Sequence, residues 1–204
     1  DIARTLDLPR NDVQAAADVI ADGRTRQVDY AVVRSSDGVK KAFLAVMSAG
    51  FDSEVTERAN TMTWPTGTSR YLIATLAELR VFQPAPFEIT VDGQTLRSEG
   101  MMLAVGNGSS YGGGMYVCPT AIPDDGLLDL TFLTRTSKLT FLRIFPRVFK
   151  GTHTHEASVR TLRGEKLHIE APGQTAYADG ERVGPLPVDV EVVPRGLRVF
   201  ASVS

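Results

Sequence analysis

The 204-residue sequence contains little cysteine, little excess charge and no long apolar segment. Its one cysteine, Cys118, can form neither an intrachain disulfide nor a cysteine-based zinc site, which is typical of a reducing compartment. The 22 basic and 24 acidic residues give a net charge of −2 and an isoelectric point near 6.0, which disfavours general binding to nucleic acid. The longest apolar runs, 43–47 and 101–105, are much shorter than the ~20 residues that cross a bilayer.

The overall composition is typical of a globular protein, with 43% hydrophobic and 23% charged residues. A chain of this length buries roughly two thirds of its unfolded surface, so neither disulfides nor a structural metal are needed for folding. The length suits one domain with a sizeable core or two small domains.

Helical periodicity of apolar residues is confined to short segments. Pro9 stops the first segment, Asn11 is the predicted N-cap of the second, and Asp22 before Gly23 ends it. Pro146 is expected to interrupt the last segment. The predicted helices are 1–9, 11–22, 53–60, 70–80 and 137–150, with a break at 64–67 between the third and the fourth.

From Gln27 onward the apolar period changes to two residues, which predicts β-strands. Turns at 36–38 and 92–93 predict two hairpins. Many short antiparallel strands with few helices predict a mainly β fold with helices (α+β), built as an antiparallel two-sheet β-sandwich. The predicted strands are 28–32, 42–47, 87–91, 94–98, 101–105, 128–133, 157–162, 166–170, 175–178, 188–193 and 197–203.

The densest glycine cluster, residues 106–114, follows a buried-looking strand and is called the glycine-rich loop below. It matches neither the dinucleotide fingerprint nor the Walker phosphate loop. It does contain Gly-Ser-Ser-Tyr-Gly, a formal nucleophile elbow around Ser110, but the triple glycine that follows is a poor start for the required helix. Close backbone packing, a loop approached by a ligand, and a serine hydrolase therefore remain as alternatives.

Carboxylates concentrate on two further turns. Residues 119–129, the acidic segment, carry Asp124, Asp125 and Asp129, which suit either a tight turn or a Mg²⁺ site of carboxylate and carbonyl oxygens. Asp179 and Glu181 flank Gly180, as in an ordinary Asp-Gly hairpin. The same two carboxylates could also share general-base and cation-binding work on a hydroxyl nucleophile.

Two other clusters favour structural roles. His153 and His155, with the remote His168, lack the ligand spacing of a metal site. The segment 135–150 interleaves basic and apolar residues, which is typical of a helix packed by its apolar face; contact with a membrane surface is the alternative.

Motifs in a specific order resemble the diacylglycerol kinase catalytic family, the bacterial lipid kinases related to sphingosine and ceramide kinases. The residues that carry the resemblance are 1–4, 48–52, 64–65, 70–71, 107–108, 112–114, 119–129, 151–153 and 179–181. The resemblance implies a lipid kinase C-terminal domain at 27–204, similar in fold to NAD kinases. It also implies that 1–26 is the helical end of a preceding nucleotide-binding domain, or a connection to it.

The resemblance assigns roles to particular residues. Asp179 matches the family's general base and Glu181 its acidic companion. Asp125 matches the family's Mg²⁺ ligand, together with the main-chain carbonyls of Ile122 and Leu127. The positions that match the nucleotide side of the cleft are Asp1, Asn107, Gly112, Gly113 and Gly114. Ala45 stands where relatives often have Asn, so a polar contact from that position is not expected.

By resemblance, the protein transfers the ATP γ-phosphoryl group to the hydroxyl of diacylglycerol and forms phosphatidic acid, with Mg²⁺ as cofactor. The alternatives are a kinase of sphingoid or other lipids, a serine hydrolase using Ser110, and a non-catalytic dimerisation module. The expected location is cytoplasmic, peripheral at the inner membrane surface. Strand edges would allow a homodimer. We expect the chain to be inactive without its N-terminal lobe.

Overall fold

The computed structural model describes residues 1–62, 64 and 68–202, with side chains for all of these except 52, 60, 68–72 and 76. These described residues form helices and β-strands. The helices are α1 Ile2–Thr5, α2 Val13–Asp22, α3 Phe51–Thr61, α4 Thr68–Val81 and α5 Lys138–Val148, with a 3₁₀ turn at Thr152–His155. The strands are β1 Thr25–Ser35, β2 Lys40–Phe43, β3 Val46–Gly50, β4 Ala85–Val91, β5 Gln94–Gly106, β6 Leu128–Thr134, β7 Val159–Gly164, β8 Lys166–Glu170, β9 Thr175–Ala178, β10 Glu181–Pro185 and β11 Val188–Phe200.

The described strands pair antiparallel in the order β10-β9-β3-β5-β4-β8-β11-β1-β2, and β6 joins β5 to β7. The two ends of this path meet. Lys41 Nζ of β2 lies 2.8 Å from Glu181 Oε2 of β10, and Ser35 Oγ donates to the Pro185 carbonyl at 2.9 Å. The sheet therefore curves around one core as a sandwich that is nearly a barrel, and the predicted antiparallel β fold is confirmed.

Along β4 and β8 buried core residues alternate with more exposed ones, whereas β3 and β6 are buried on both faces because helices cover them. The largest fully buried side chains of the core are Phe43, Phe132, Met47, Ile89, Leu103, Leu128, Leu130 and Ile169. A second apolar layer lies where α3, α4 and α5 cover β5 and β6. There Phe51 meets Phe82 and Phe141 edge-on, with ring centroids 5.3 and 4.8 Å apart. Each such ring pair stabilises the fold by about 0.5–1.5 kcal/mol beyond the contribution of its buried area.

Several predicted boundaries are wrong for local reasons. The N-cap of α2 is Asp12 and not Asn11, because Asp12 Oδ1 accepts the Ala15 N–H at 2.9 Å. The predicted helix 1–9 contracts to α1, since Asp7 adopts a left-handed φ of 55°. Pro146 does not interrupt α5, whose buried face is held on both sides of the proline.

At the C-terminal end, two predicted strands merge into β11, which keeps pairing with β1 across a bulge between Val28 and Tyr30. The strand β10 was missed because Gly184 and Pro185 break its apolar alternation. The two predicted hairpins are confirmed as β1–β2 and β4–β5. The predicted strand 42–47 is wrong in extent, because it breaks at 44–45 between β2 and β3. The break at 65–67 and the end of the last predicted strand, Val203, lie outside the described residues. None of the described helices is long and apolar enough to cross a bilayer.

Candidate active site

Asp179 lies on the turn between β9 and β10, with a left-handed φ of 48°. Its Oδ1 accepts the N–H groups of Ala45 and Val46 at 3.0 and 3.1 Å, and its Oδ2 accepts the Leu44 N–H at 2.8 Å. The Asp179 N–H donates in turn to the Val46 carbonyl at 3.0 Å. A carboxylate accepts about four hydrogen bonds. Residues 44–45 and the first residue of β3, together called loop 44–46, thus fix this exposed carboxylate and leave acceptor capacity for one further hydroxyl.

The loop 44–46 is held in place by Asn107, at the start of the glycine-rich loop. The Asn107 side chain is buried and its Nδ2 donates to the carbonyls of Leu44 and Asp29 at 3.0 and 3.1 Å. The Asn107 and Gly108 N–H groups both donate to the Ala45 carbonyl, at 3.0 and 2.9 Å. Asn107, predicted on the nucleotide side, therefore also positions the loop that binds the predicted base.

The glycine-rich loop is joined to the start of the chain. Asp1 Oδ2 accepts the Gly113 N–H at 2.8 Å, while Asp1 Oδ1 accepts from Arg4 Nη1 at 2.8 Å. Gly114 has a φ of 107°, and a Cβ there would lie 2.6 Å from Arg4 Nη1. The structure thus brings Asp1 together with the triple glycine, and a side chain at Gly114 would be strained by the positive φ and would displace the tip of Arg4.

Glu181 shares the turn of Asp179 but has a different partner. Its exposed carboxylate pairs with Lys41 Nζ at 2.8 Å, across the seam between β10 and β2. The hydrogen bond and the positive charge of Lys41 lower the pKa of Glu181. Backbone amides hold one carboxylate of the turn and an ammonium group holds the other, so the two are electrostatically distinct.

Two of the three carboxylates of the acidic segment 119–129 pair with one arginine that the sequence reasoning missed. Arg163 Nε lies 2.9 Å from Asp129 Oδ2, and its Nη2 contacts Asp125 Oδ2. Both hydrogen bonds raise the pKa of Arg163, the one to Asp129 more strongly. Asp125 Oδ1 accepts the Leu127 N–H at 3.0 Å.

The donor set predicted for Mg²⁺ is chemically suitable, since Asp125 and the carbonyls of Ile122 and Leu127 are hard oxygen ligands. Within the described ranges no three histidine, cysteine, aspartate or glutamate side chains form a metal-binding group. A cation at Asp125 would share that carboxylate with Arg163. A bound Mg²⁺ and the Arg163 guanidinium would therefore compete for the Asp125 carboxylate.

Replacing Arg163 with glutamine is expected to strengthen Mg²⁺ binding at Asp125, because it removes a competing positive charge and leaves two carboxylates unneutralised. Titrating MgCl₂ into a thermal unfolding assay would show a larger rise of the midpoint for Arg163→Gln than for wild type. Asp125→Ala should abolish the additional rise. Equal responses at matched ionic strength would show that Arg163 does not compete for this site.

Asp29 is a second residue that the sequence reasoning missed. It is fully buried in β1, where its Oδ1 accepts the Arg195 N–H at 2.6 Å and its Oδ2 accepts the Gly126 N–H at 2.7 Å. Its own N–H donates to the Pro123 carbonyl at 2.7 Å, and its carbonyl accepts from Asn107. Asp29 therefore links the acidic segment to Asn107 and, through loop 44–46, to Asp179. A lone acidic residue within the apolar run 28–33 was the signal available in the sequence.

The serine hydrolase alternative is not supported by the position of Ser110. Its side chain is fully buried, and its Oγ has no hydrogen-bond partner within the described part of the chain. A nucleophilic serine needs both access to substrate and a base within hydrogen-bond reach. Cys118 is equally unsuited to nucleophilic chemistry, since burial raises the pKa of its thiol to about 12.

His153 has the structural role expected of it. It is buried, and its Nε2 lies 3.2 Å from the Val117 carbonyl, so this nitrogen carries the proton and donates. Burial lowers the pKa of His153. His168 instead lies on the outer face of the sheet, where hydrogen bonds to Asp189 and Glu170 raise its pKa.

The lowered pKa of His153 predicts a contribution to acid sensitivity. The unfolded chain takes up this proton near the ordinary pKa, so the contribution is complete above about pH 6.5 and is lost as the pH falls toward the lower folded value. We expect His153→Gln to flatten the decline of the unfolding midpoint between about pH 7 and about pH 5. The exposed His155→Gln is the comparison: the charge of His155 contributes to the lowered pKa of His153 less than burial does, so this variant should flatten the decline less than His153→Gln. Identical slopes in all three proteins would contradict the prediction.

The curved antiparallel sheet, whose end strands β10 and β2 meet through side chains, has the architecture of a β-sandwich domain of the NAD-kinase-like type. Residues 45–201 match the model of the YegS C-terminal NAD kinase beta sandwich-like domain. The chain therefore belongs to this family, and the resemblance stated from the motifs is confirmed.

Two named relatives align with most of this chain. A diacylglycerol kinase of Mycobacterium tuberculosis (strain ATCC 25618 / H37Rv) is 44% identical over 201 residues, which cover 98% of this chain. A diacylglycerol kinase of Bacillus subtilis (strain 168) is 26% identical over 192 residues, which cover 92%. The chain spans 65% and 61% of the lengths of these two relatives.

Solved structures agree on the fold. A diacylglycerol kinase of Bacillus anthracis str. Sterne superposes with a TM-score of 0.69 at 20% identity, covering 98% of this chain and 62% of that one. A further crystal structure from the same strain gives a TM-score of 0.74 at 24% identity, covering 98% and 64%. At these identities the superpositions establish the fold.

Proposed function

We propose that this chain is the β-sandwich domain of a lipid kinase that transfers the γ-phosphoryl group of ATP to the hydroxyl of diacylglycerol and forms phosphatidic acid. Family membership and the 44% identical relative named diacylglycerol kinase support the reaction class. The observation that carries the assignment of residues is the hydrogen-bonded chain from the acidic segment through Asp29, Asn107 and loop 44–46 to Asp179.

In the proposed reaction Asp179 accepts the proton of the lipid hydroxyl. The hydroxyl oxygen bonds to the γ-phosphorus as the bond to the bridging oxygen breaks, and ADP leaves. Phosphoryl transfer requires mainly alignment and charge neutralisation. The three amides of loop 44–46 hold the Asp179 carboxylate in one orientation, and Lys41 holds Glu181 beside it.

Asp1 and Gly112 to Gly114 are proposed to face the nucleotide, with the buried Asn107, predicted for the same side, behind them holding loop 44–46. The positive φ angles of the three glycines, 58°, 80° and 107°, suit a backbone that phosphate groups approach closely. When bound, Mg²⁺ would supply positive charge against the phosphoryl oxygens; its proposed ligands are Asp125 and the carbonyls of Ile122 and Leu127. Residues 1–26 are proposed as the end of a nucleotide-binding domain, or a connection to it, and 27–204 as the sandwich.

The acceptor is proposed to be diacylglycerol because both relatives described above carry that name; a sphingoid or other lipid is the second candidate. Such an acceptor resides in a bilayer, so we propose a peripheral location at the cytoplasmic face of the membrane. A homodimer formed through strand edges remains a further proposal.

The test is transfer of labelled γ-phosphate from ATP to diacylglycerol in mixed micelles, using the complete protein at the length of its relatives. Labelled phosphatidic acid is the expected product. If only sphingoid lipids or glycolipids become labelled, the proposed kinase activity stands and the proposed acceptor, diacylglycerol, is wrong. No labelled lipid from any acceptor would overturn the kinase and favour a non-catalytic module.

The 204-residue chain assayed alone is expected to be inactive, because the family's Gly-Gly-Asp-Gly-Thr nucleotide loop does not occur in its sequence. Transfer by this chain at the rate of the complete protein would show that the chain binds ATP by itself.

A further inference from the structure

The helix α5 presents apolar side chains on two opposite faces. Its inner face buries Phe141, Ile144 and Val148. On the outer face Leu139 is 80% exposed, Leu142 43% and Phe149 50%. Together with the exposed Pro146, these outer residues are spaced at i, i+3, i+7 and i+10, so they form one line along the helix. We call Leu139, Leu142, Pro146 and Phe149 the α5 stripe.

Basic side chains surround the α5 stripe. The segment 135–150 contains five basic residues and no acidic one, in a chain whose net charge is −2. Arg143 and Lys150 lie beside the stripe on the helical wheel. Arg143 and Arg147 pair with one carboxylate, Glu156, and Arg135 pairs with Glu99, so five cations meet two carboxylates and a positive excess of three remains. The basic residues are Arg135, Lys138, Arg143, Arg147 and Lys150.

The buried face of α5, opposite the stripe, packs toward the candidate active site. The Tyr116 N–H donates to the Val148 carbonyl at 3.0 Å. On the inner face Val148 shares a buried cluster with Ala45 and Val46, whose N–H groups hold Asp179. The helix that bears the stripe and the loop that holds Asp179 therefore share one buried cluster.

We propose that the α5 stripe docks on an anionic lipid bilayer, with its apolar side chains in the interface and the flanking cations at the headgroups. Exposed apolar side chains bordered by arginine and lysine are the pattern that partitions into such an interface. Two copies meeting stripe to stripe would bring their basic borders together, so the like charges disfavour that dimer and the cations favour an anionic bilayer. The proposal identifies the docking surface, and it stands apart from the phosphoryl transfer proposed above.

The test is co-sedimentation of the complete protein with vesicles of phosphatidylcholine containing about 30% phosphatidylglycerol. Leu139→Gln combined with Phe149→Gln is expected to lower the partition coefficient by at least about tenfold, and Lys150→Glu by several-fold. The matched controls are Val13→Gln with Ile20→Gln, which alter exposed apolar residues of α2, and Arg10→Glu. These controls should bind as wild type.

Binding should weaken at high salt and on vesicles of phosphatidylcholine alone, because the cations contribute only against anionic lipid. Equal binding by the stripe variants and the controls, or no binding by wild type, would overturn the docking surface. A change of oligomeric state in the stripe variants would instead assign the stripe to a second copy.

Phosphorylation of a short-chain, water-soluble diacylglycerol separates this proposal from the proposed function. The stripe variants should retain that activity while losing activity on vesicles. A protein that binds vesicles through α5 and phosphorylates no lipid would refute the kinase and leave the docking surface intact.

Discussion

Asp179→Asn is expected to lower lipid phosphorylation by about 10²–10⁴-fold, the range typical of a lost general base. An amide cannot take the proton of the attacking hydroxyl. The carbonyl oxygen of the substituted side chain could still face Ala45 and Val46, while its NH₂ group would face the Leu44 N–H. We therefore expect a modest loss of stability beside the large loss of turnover.

The matched control for this variant is Asp37→Asn, on the exposed turn of the first hairpin. Its turnover should equal that of wild type. Steady-state kinetics of γ-phosphate transfer, with thermal unfolding of each variant, separates chemistry from folding. Wild-type turnover in folded Asp179→Asn would remove Asp179 from the role of base.

Asp29→Leu is expected to destabilise the fold by about 2–5 kcal/mol, because it leaves the N–H groups of Gly126 and Arg195 without their acceptors inside the protein. Asp29→Asn should cost less, since one amide oxygen can still accept. Arg195 has a left-handed φ of 52°, so its bulge in β11 also loses its anchor.

Urea unfolding of both variants measures this effect, as a lower midpoint at an unchanged slope. Asp189→Ala is the control, because this aspartate of β11 is largely exposed and should contribute less than about 1 kcal/mol. A midpoint of Asp29→Leu equal to that of the control would show that the buried carboxylate does not organise the acidic segment.

Local sequence signals predicted much of the architecture. The alternation of apolar residues and the Asp-Gly turns identified both hairpins and most strands, because those signals act between neighbouring residues. The same reasoning failed where burial overrides local preference. Pro146 stays within α5 because buried side chains on both sides of it hold the helix against the sheet. The bulge near Val28 lets β11 continue where the sequence favoured a break.

The candidate site shows the same division. Asp179, Asn107 and Asp125 were found from motifs, and their roles remain predictions. Asp29 and Arg163 were missed because their partners lie far along the chain: Gly126 is 97 residues from Asp29, and Asp125 is 38 residues from Arg163. No periodicity or motif encodes such pairs. They form only when β1, β7 and the acidic segment are brought together.

By itself, the sequence determined the β-rich class, the family and the residue types on the turns, since these depend on composition, period and motif. Only the tertiary structure decided that Asn107 holds the loop that binds Asp179, that Arg163 neutralises Asp125, and that α5 leaves an apolar stripe in solvent. The physical reason is that hydrogen bonds, charge pairs and burial depend on distance in space, which the fold sets independently of separation along the chain.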